Sequence, residues 1–247
     1  MQYGEFSRIY DKLINEDVDY DKIACRINQI TDKYKCENKD YLDLACGTGN
    51  VSIKLSEKFD TTYAVDISED MLAKTFDKFD SVNRKCNIYC QDISELSLDH
   101  KFDLITCVLD STNYIIETEN LYSYFKGVYN HLKDNGIFIF DINSYYKITN
   151  ILGNNTYVYS TDDLFYSWEN FLENDTVEMY LTFFVKEGTM YQRFEEEHIE
   201  RAYKEQEIEE ALVASVLKVL EKYDGYSKSE VTENSERIMY VVKKGEK

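Results

Sequence analysis

The sequence predicts an α/β fold in which a mostly parallel sheet is covered by helices on both faces, with an antiparallel β region inserted late in the chain. Three observations carry that expectation. Short apolar strands alternate with amphipathic helices over about 40–143. Several of those strands are apolar on both faces, as parallel sheets buried between helix layers require. Beyond 156 the alternation stops, and β-rich runs follow one another with only turn residues between them.

Each element has its own signal. Residues 17–34 carry Val18, Ile23, Ile27 and Ile30 near helical spacing, which predicts a helix. "YLDLA" (41–45) is a short strand, and 48–59 is a helix with Val51, Leu55 and Phe59 four apart. "TYAVDI" (62–67) is the second strand. Ser68, standing before two acids and an apolar face, caps a helix over 68–79. Strands follow at 86–93 and 101–110, then a helix at 119–133 and a strand at 135–143. "TDD", "END" and "EGT" punctuate the β-rich runs of 156–203, which therefore pair antiparallel. Helical pattern returns at 205–216. Strands 217–224 and 236–244, joined by a polar loop with no room for a crossover helix, pair antiparallel. Proline is absent, so the turns are read from Gly, Asn and Asp.

Composition narrows the function. The chain has 247 residues, enough for one large domain with an insertion, and 15% are aromatic. Its net charge is −19, and no basic cluster reverses it locally. A phosphate backbone is repelled by such a surface, which argues against nucleic acid and for a neutral or cationic small ligand. No apolar run approaches the roughly 18 residues of a membrane span. The opening "MQYGEFSRIYDKL" lacks a basic start and an apolar stretch, so no signal peptide is expected. The six cysteines show no paired spacing, and Cys86 and Cys90 have neither a C-x-x-C partner nor a nearby His. A reducing cytoplasm and no metal are the expectation.

"DLACGTGN" (43–50) is the candidate binding loop. Gly47 and Gly49 stand where the first strand ends and a helix begins, at the carboxyl end of the sheet, where open parallel sheets place ligands. Glycine there permits positive φ and close approach of a ligand. A dinucleotide fingerprint needs a third glycine where Ser52 stands, and a phosphate-binding loop of the Walker type needs a Lys after Gly49. Three acids say more. Asp43 lies before the glycines, Asp66 ends the second strand and Asp92 ends the third. That set suits a ligand with a ribose, an amine and a positive charge better than a pyrophosphate.

"YLDLACGTGN", "YAVDISEDML", "CQDI", "FDLITCVLDSTNYI" and "LKDNGIFIFDIN" resemble, in order and spacing, the motifs of class I S-adenosylmethionine-dependent methyltransferases. The resemblance covers about 40–143 and extends to small-molecule N-methyltransferases, including those of sugar amines, that carry a β-rich insertion. It implies a Rossmann-like seven-stranded sheet with the last strand antiparallel. It implies a cofactor domain of 1–143 and 205–247 and an inserted β lid, 144–204, that selects the substrate. The cofactor implied is S-adenosyl-L-methionine, and the reaction moves its methyl group to a small amine or hydroxyl acceptor. Carried over by position, Asp43, Ala45, Cys46, Gly47 and Gly49 form the loop beside the methionine part. Asp66 with Ile67 holds the ribose, Asp92 with Ile93 the adenine amine, and Met71 the adenine face. Leu109 and Asp110 close the fourth-strand side. Two departures stand out: Ala45 occupies the family's first glycine position, and "DNG" (134–136) replaces the usual "PGG".

Beyond the cofactor, Tyr10 and His198 are the candidate catalytic residues, His198 because an imidazole titrates near neutrality. Tyr3, Tyr10, Asn113, Trp168 and Arg201 are candidate substrate contacts. Plainer readings stand beside these. Asp43 could bond only the loop backbone, Met71 could be core, and His198 could be structural. Glu195, Glu196 and Glu197 read as a solvated run. A nicotinamide oxidoreductase would share the sheet and Asp66 but needs a glycine near Ser52. A protein that binds the cofactor without transferring the methyl group is the other alternative.

Overall fold

The computed structural model describes residues 18–245, so Tyr3 and Tyr10 lie outside the described residues. In chain order the strands are β1 (Asp40–Leu44), β2 (Thr61–Asp66), β3 (Asn87–Cys90), β4 (Phe102–Cys107), β5 (Leu132–Asn143), β6 (Thr156–Ser160), β7 (Leu164–Glu173), β8 (Thr176–Glu187), β9 (Met190–Arg201), β10 (Leu217–Asp224) and β11 (Arg237–Lys244). The α-helices are α1 (Tyr20–Lys33), α2 (Asn50–Leu55), α3 (Glu69–Ser81), α4 (Thr118–His131) and α5 (Glu205–Ala214).

The main sheet has seven strands in the order β10-β11-β5-β4-β1-β2-β3. β1 to β5 pair parallel, and β11 runs antiparallel to both β5 and β10. The expected inversion of the last strand is therefore present. It has a consequence for the site: β11 begins where β5 ends, with Arg237 in register with Asn143.

Two-residue periodicity along the strands builds a core on each face. On β5, Phe138, Phe140 and Ile142 meet Phe125 and Val128 of α4 and Ile208 and Leu212 of α5, whereas Ile137 and Ile139 join the opposite layer. That second layer packs Ile23, Ile27 and Ile30 of α1 and Val51 and Leu55 of α2 on Tyr41 and Leu104. Full burial of each such side chain contributes about 1.5–3 kcal/mol. Asp19 caps α1 by accepting from Lys22 N (2.9 Å), and Ser68 caps α3 by accepting from Met71 N (3.3 Å).

β6 to β9 form a second, wholly antiparallel sheet, as the turn residues predicted. Asn113 fastens it to the main sheet: its side chain donates to the carbonyls of Asn143 (3.1 Å) and Arg201 (2.9 Å) and accepts from Asn143 N (2.9 Å). Two sequence expectations need correction here. The Glu195–Glu197 run is not all solvated: strand alternation turns Glu196, together with His198 and Glu200, to the buried face of β9. The third strand stops at Cys90, and Asp92 instead caps a single turn by accepting from Ser94 N (2.8 Å) and Oγ (2.7 Å). Among the described residues no helix is long and apolar enough to cross a membrane.

Candidate functional site

The carboxyl ends of β1, β2, β4 and β5 and the inner face of the second sheet enclose a cavity of about 720 Å³. Its main-sheet wall contains Ala45, Gly47, Asp66, Ile67, Met71, Asp92, Ile93, Leu109 and Asp110. These are nine of the twelve positions expected at the cofactor. Asp43, Cys46 and Gly49 are not on the wall; Cys46 closes the turn through its carbonyl, which accepts from Gly49 N (2.9 Å), and the other two hold it from behind.

The glycine turn is held from behind. Buried Asp43 accepts hydrogen bonds from Ser52 Oγ and from Thr106 Oγ1 (2.6 Å). Its burial pushes the carboxyl up to about 6, against the pull of those hydroxyls. Its partners are thus side chains, not the loop backbone. Ser52, where a dinucleotide site would need glycine, is fully buried in this contact. Gly49 has φ +77°, and a Cβ there would stand 2.9 Å from Cγ2 and Oγ1 of Thr75. Thr75 Oγ1 in turn donates to the Gly47 carbonyl (2.8 Å). Gly49→Ala therefore combines left-handed strain with a clash that displaces the loop's own tether. Chemical unfolding is expected to show a loss of about 1–3 kcal/mol; a loss below about 0.5 kcal/mol would mean that the turn is not held this way. Ala45, at the family's first glycine position, also lies in the left-handed region with φ 52°. The departure from glycine is accommodated with backbone strain and without loss of the turn.

Asp66 links the first two loops. Its Oδ2 accepts from Gly47 N (2.7 Å) and its Oδ1 from Ser68 N (2.9 Å). Burial raises its pKa, and the backbone donors oppose that shift. Each oxygen keeps a second lone pair for a ligand. Met71, at the start of α3, lines the cavity and also packs against Phe183 of β8.

The loop after β4 carries two consecutive left-handed residues, Leu109 (φ 61°) and Asp110 (φ 57°). Fully buried Asp141 on β5 clamps them, accepting from Leu109 N (2.9 Å) and Asp110 N (2.8 Å). Tyr226 OH and Arg237 Nη1 also donate to Asp141, and Arg237 Nη2 reaches Asp110 (2.6 Å).

The second-sheet wall includes Trp168, Tyr166, Leu181, Phe183, His198 and Glu200. The expected Trp168 and His198 are therefore at the cavity. Trp168 Nε1 is buried with no hydrogen-bond partner among the described residues. His198 Nδ1 pairs with Tyr114 OH (3.2 Å), and burial lowers its pKa. Asn113 and Arg201 are not on the wall. Arg201 is engaged by the Ile116 carbonyl (2.9 Å), Thr118 (2.9 Å) and Glu207 (2.7 Å), a joint between elements. Sequence reasoning missed Glu200, Asn143, Lys147, Tyr166 and Arg237, all on the wall. For Glu200 a signal existed: two residues beyond His198, it faces the same way.

A methyltransferase-domain family model matches residues 42–136. The chain is 31% identical to the putative methyltransferase YqeM of Bacillus subtilis (strain 168), covering 99% of this chain and 98% of that protein. It shares 53% identity and a TM-score of 0.94 with the crystal structure of an S-adenosylmethionine-dependent methyltransferase from Clostridium acetobutylicum ATCC 824, over 99% of each chain. A dTDP-3-amino-3,6-dideoxy-alpha-D-glucopyranose N,N-dimethyltransferase of Streptomyces fradiae is 25% identical over 55% of this chain and 52% of its own.

Proposed function

We propose, for a chain that belongs to the S-adenosylmethionine-dependent methyltransferases, that the methyl acceptor is the amine nitrogen of a small molecule held between the glycine turn and the second sheet. The observation that carries this reading is the size and charge of the cavity. Its 720 Å³ falls within the roughly 300–1,000 Å³ of small-ligand sites. Asp110 and Glu200 line it, while its cations, Lys147 and Arg237, already serve Asn143 and the Asp110–Asp141 pair. An amine that arrives as a cation is favoured there over a phosphate. The Streptomyces fradiae relative, by its name, methylates a sugar amine, which supports the same class.

The residues on the wall fit the methyl donor. A Cβ on Gly47 would meet nothing within 4 Å, so the turn is bare toward the cavity. In this reading Asp66 accepts hydrogen bonds from the ribose hydroxyls and Asp92 takes the adenine amine. Met71, Ile67 and Ile93 cover the ring. Ala45 and Gly47 pass beside the methionine part, shaped from behind by Asp43, Cys46 and Gly49, while Leu109 and Asp110 close the far side. When bound, S-adenosylmethionine supplies a methyl group on a positively charged sulfur. The chain's own work is alignment and exclusion of water. Residues 144–204 act as the lid, whose Tyr166, Trp168, Leu181 and Phe183 make the acceptor end apolar around its few polar groups.

Mass spectrometry of the enzyme with S-adenosylmethionine and matched amine and hydroxyl twins of sugars and aromatic compounds tests the assignment. Methyl addition to amines and not to their hydroxyl twins is expected. Transfer to the hydroxyl twin alone, or only to RNA or protein, would contradict it.

A further inference from the structure

Glu200 stands out among the cavity residues because nothing in the fold accounts for it. Its side chain is 3% exposed, on the inward face of β9 at the cavity wall. Asn143 Nδ2 donates to Oε2 (2.9 Å), and no donor reaches Oε1 among the described residues. The carboxylate is nevertheless firmly held. Asn143 is locked on its other side by Lys147 Nζ, which donates to Oδ1 (2.9 Å), and its backbone is held by Asn113. A buried, positioned carboxyl with a free oxygen toward a cavity is costly unless a ligand uses it.

We propose that Glu200 is the residue that receives the acceptor's ammonium group and takes its proton before methyl transfer. The inference rests on the amine reading above. One N–H bond of the ammonium breaks, and the proton moves to the free oxygen of Glu200. The nitrogen keeps the electron pair and uses it to bond the methyl carbon, while the methyl–sulfur bond breaks with its pair left on sulfur. The product nitrogen carries the positive charge that sulfur had, and Glu200 returns its proton to solvent as the product leaves.

The surroundings suit that task. Burial, with Asp110 beside it, pushes Glu200 up to about 8, against Asn143, Lys147 and Arg237. That lies well above an ordinary carboxyl and nearer the range of amines, so passing a proton from an ammonium to Glu200 meets less opposition than passing it to an exposed carboxylate. His198, its neighbour on the same face, has its pKa lowered by burial and its Nδ1 engaged by Tyr114. A neutral imidazole exerts no pull on a cation, which leaves Glu200, once ionised above about pH 8 or by pairing with a cation, as the anionic group at that end of β9.

Sinefungin, which carries an amine where S-adenosylmethionine carries its methylated sulfur, probes this directly and needs no acceptor. Calorimetric titration of sinefungin and S-adenosylhomocysteine into wild type, Glu200→Gln and Glu200→Asp is the experiment. Gln keeps the acceptor for Asn143 and loses the charge; Asp keeps the charge and withdraws it. Wild type is expected to prefer sinefungin, and Glu200→Gln to lose about tenfold of that preference with S-adenosylhomocysteine affinity unchanged within about twofold. Glu200→Asp falls between. A preference unchanged in Glu200→Gln, or absent from wild type, overturns the proposal. A failed amine screen with these titrations as expected would overturn the amine reading and the proposal that rests on it, leaving only a cation site at Glu200; the reverse result would leave the amine reading and remove Glu200.

Discussion

Asp141→Ala is expected to lower the unfolding free energy by about 3–5 kcal/mol, the range for removing one partner of a buried ion pair. Asp141 is fully buried and accepts from two backbone N–H groups, a tyrosine hydroxyl and the Arg237 guanidinium. Truncation leaves Arg237 with Asp110 alone and releases Leu109 and Asp110 from their left-handed clamp. Positive φ at two adjacent non-glycine residues persists only where the surroundings enforce it. Both residues line the cavity, so S-adenosylhomocysteine affinity should fall with stability. Asp141→Asn keeps the shape but offers one acceptor oxygen in place of two, and should cost less than Ala. Guanidinium unfolding and a melting shift of roughly 10 °C check the first part. A loss under about 1 kcal/mol would show that the β4 loop holds its conformation without Asp141.

Asp66→Ala is expected to weaken binding of S-adenosylmethionine and S-adenosylhomocysteine by roughly 2–4 kcal/mol, or about thirty- to a thousandfold. The carboxylate can accept two ribose hydroxyls with the lone pairs left free by Gly47 N and Ser68 N. Those backbone contacts also bear on stability. An unpaired loop carboxylate could be removed at no cost to the fold; this one ties the glycine turn to the start of α3, so Asp66→Ala should also cost about 1–3 kcal/mol of stability. Asp66→Asn retains one acceptor and separates the effects. Because burial raises the pKa of Asp66, protonation on acidification should weaken cofactor binding sooner than an exposed carboxylate would allow. Calorimetry with unfolding curves on the same samples decides: a folded Asp66→Ala protein with wild-type affinity would place the adenosine elsewhere.

The parallel sheet was legible because its signals are local. The apolar runs, the Ser68 cap, the glycine turn and the acids at strand ends each depend on neighbours within a few residues. The acceptor end was not, because its contacts join distant parts of the chain. Glu200 meets Asn143 across 57 residues and Arg237 meets Asp110 across 127. Nothing near Arg237 in the sequence marks it; it reaches the site because β11 runs against its neighbours and starts where β5 ends. The same long-range geometry places Asn113 between Asn143 of β5 and the Arg201 carbonyl of β9, and the Arg201 side chain on Ile116, Thr118 and Glu207, off the cavity wall. In the Glu195–Glu197 run, composition suggested solvent, and the two-residue period of the strand decided otherwise for Glu196.

The claim that the cavity takes the methyl donor at its main-sheet wall and the acceptor against β9 is tested most directly by a crystal structure with S-adenosylhomocysteine bound. The account predicts both ribose hydroxyls on the Asp66 carboxylate, the adenine against Met71 with its amine at Asp92, and the sulfur turned toward Glu200 and His198. Electron density for the ligand outside this cavity, or within it with the sulfur facing away from β9 and Asp66 untouched, would contradict the account.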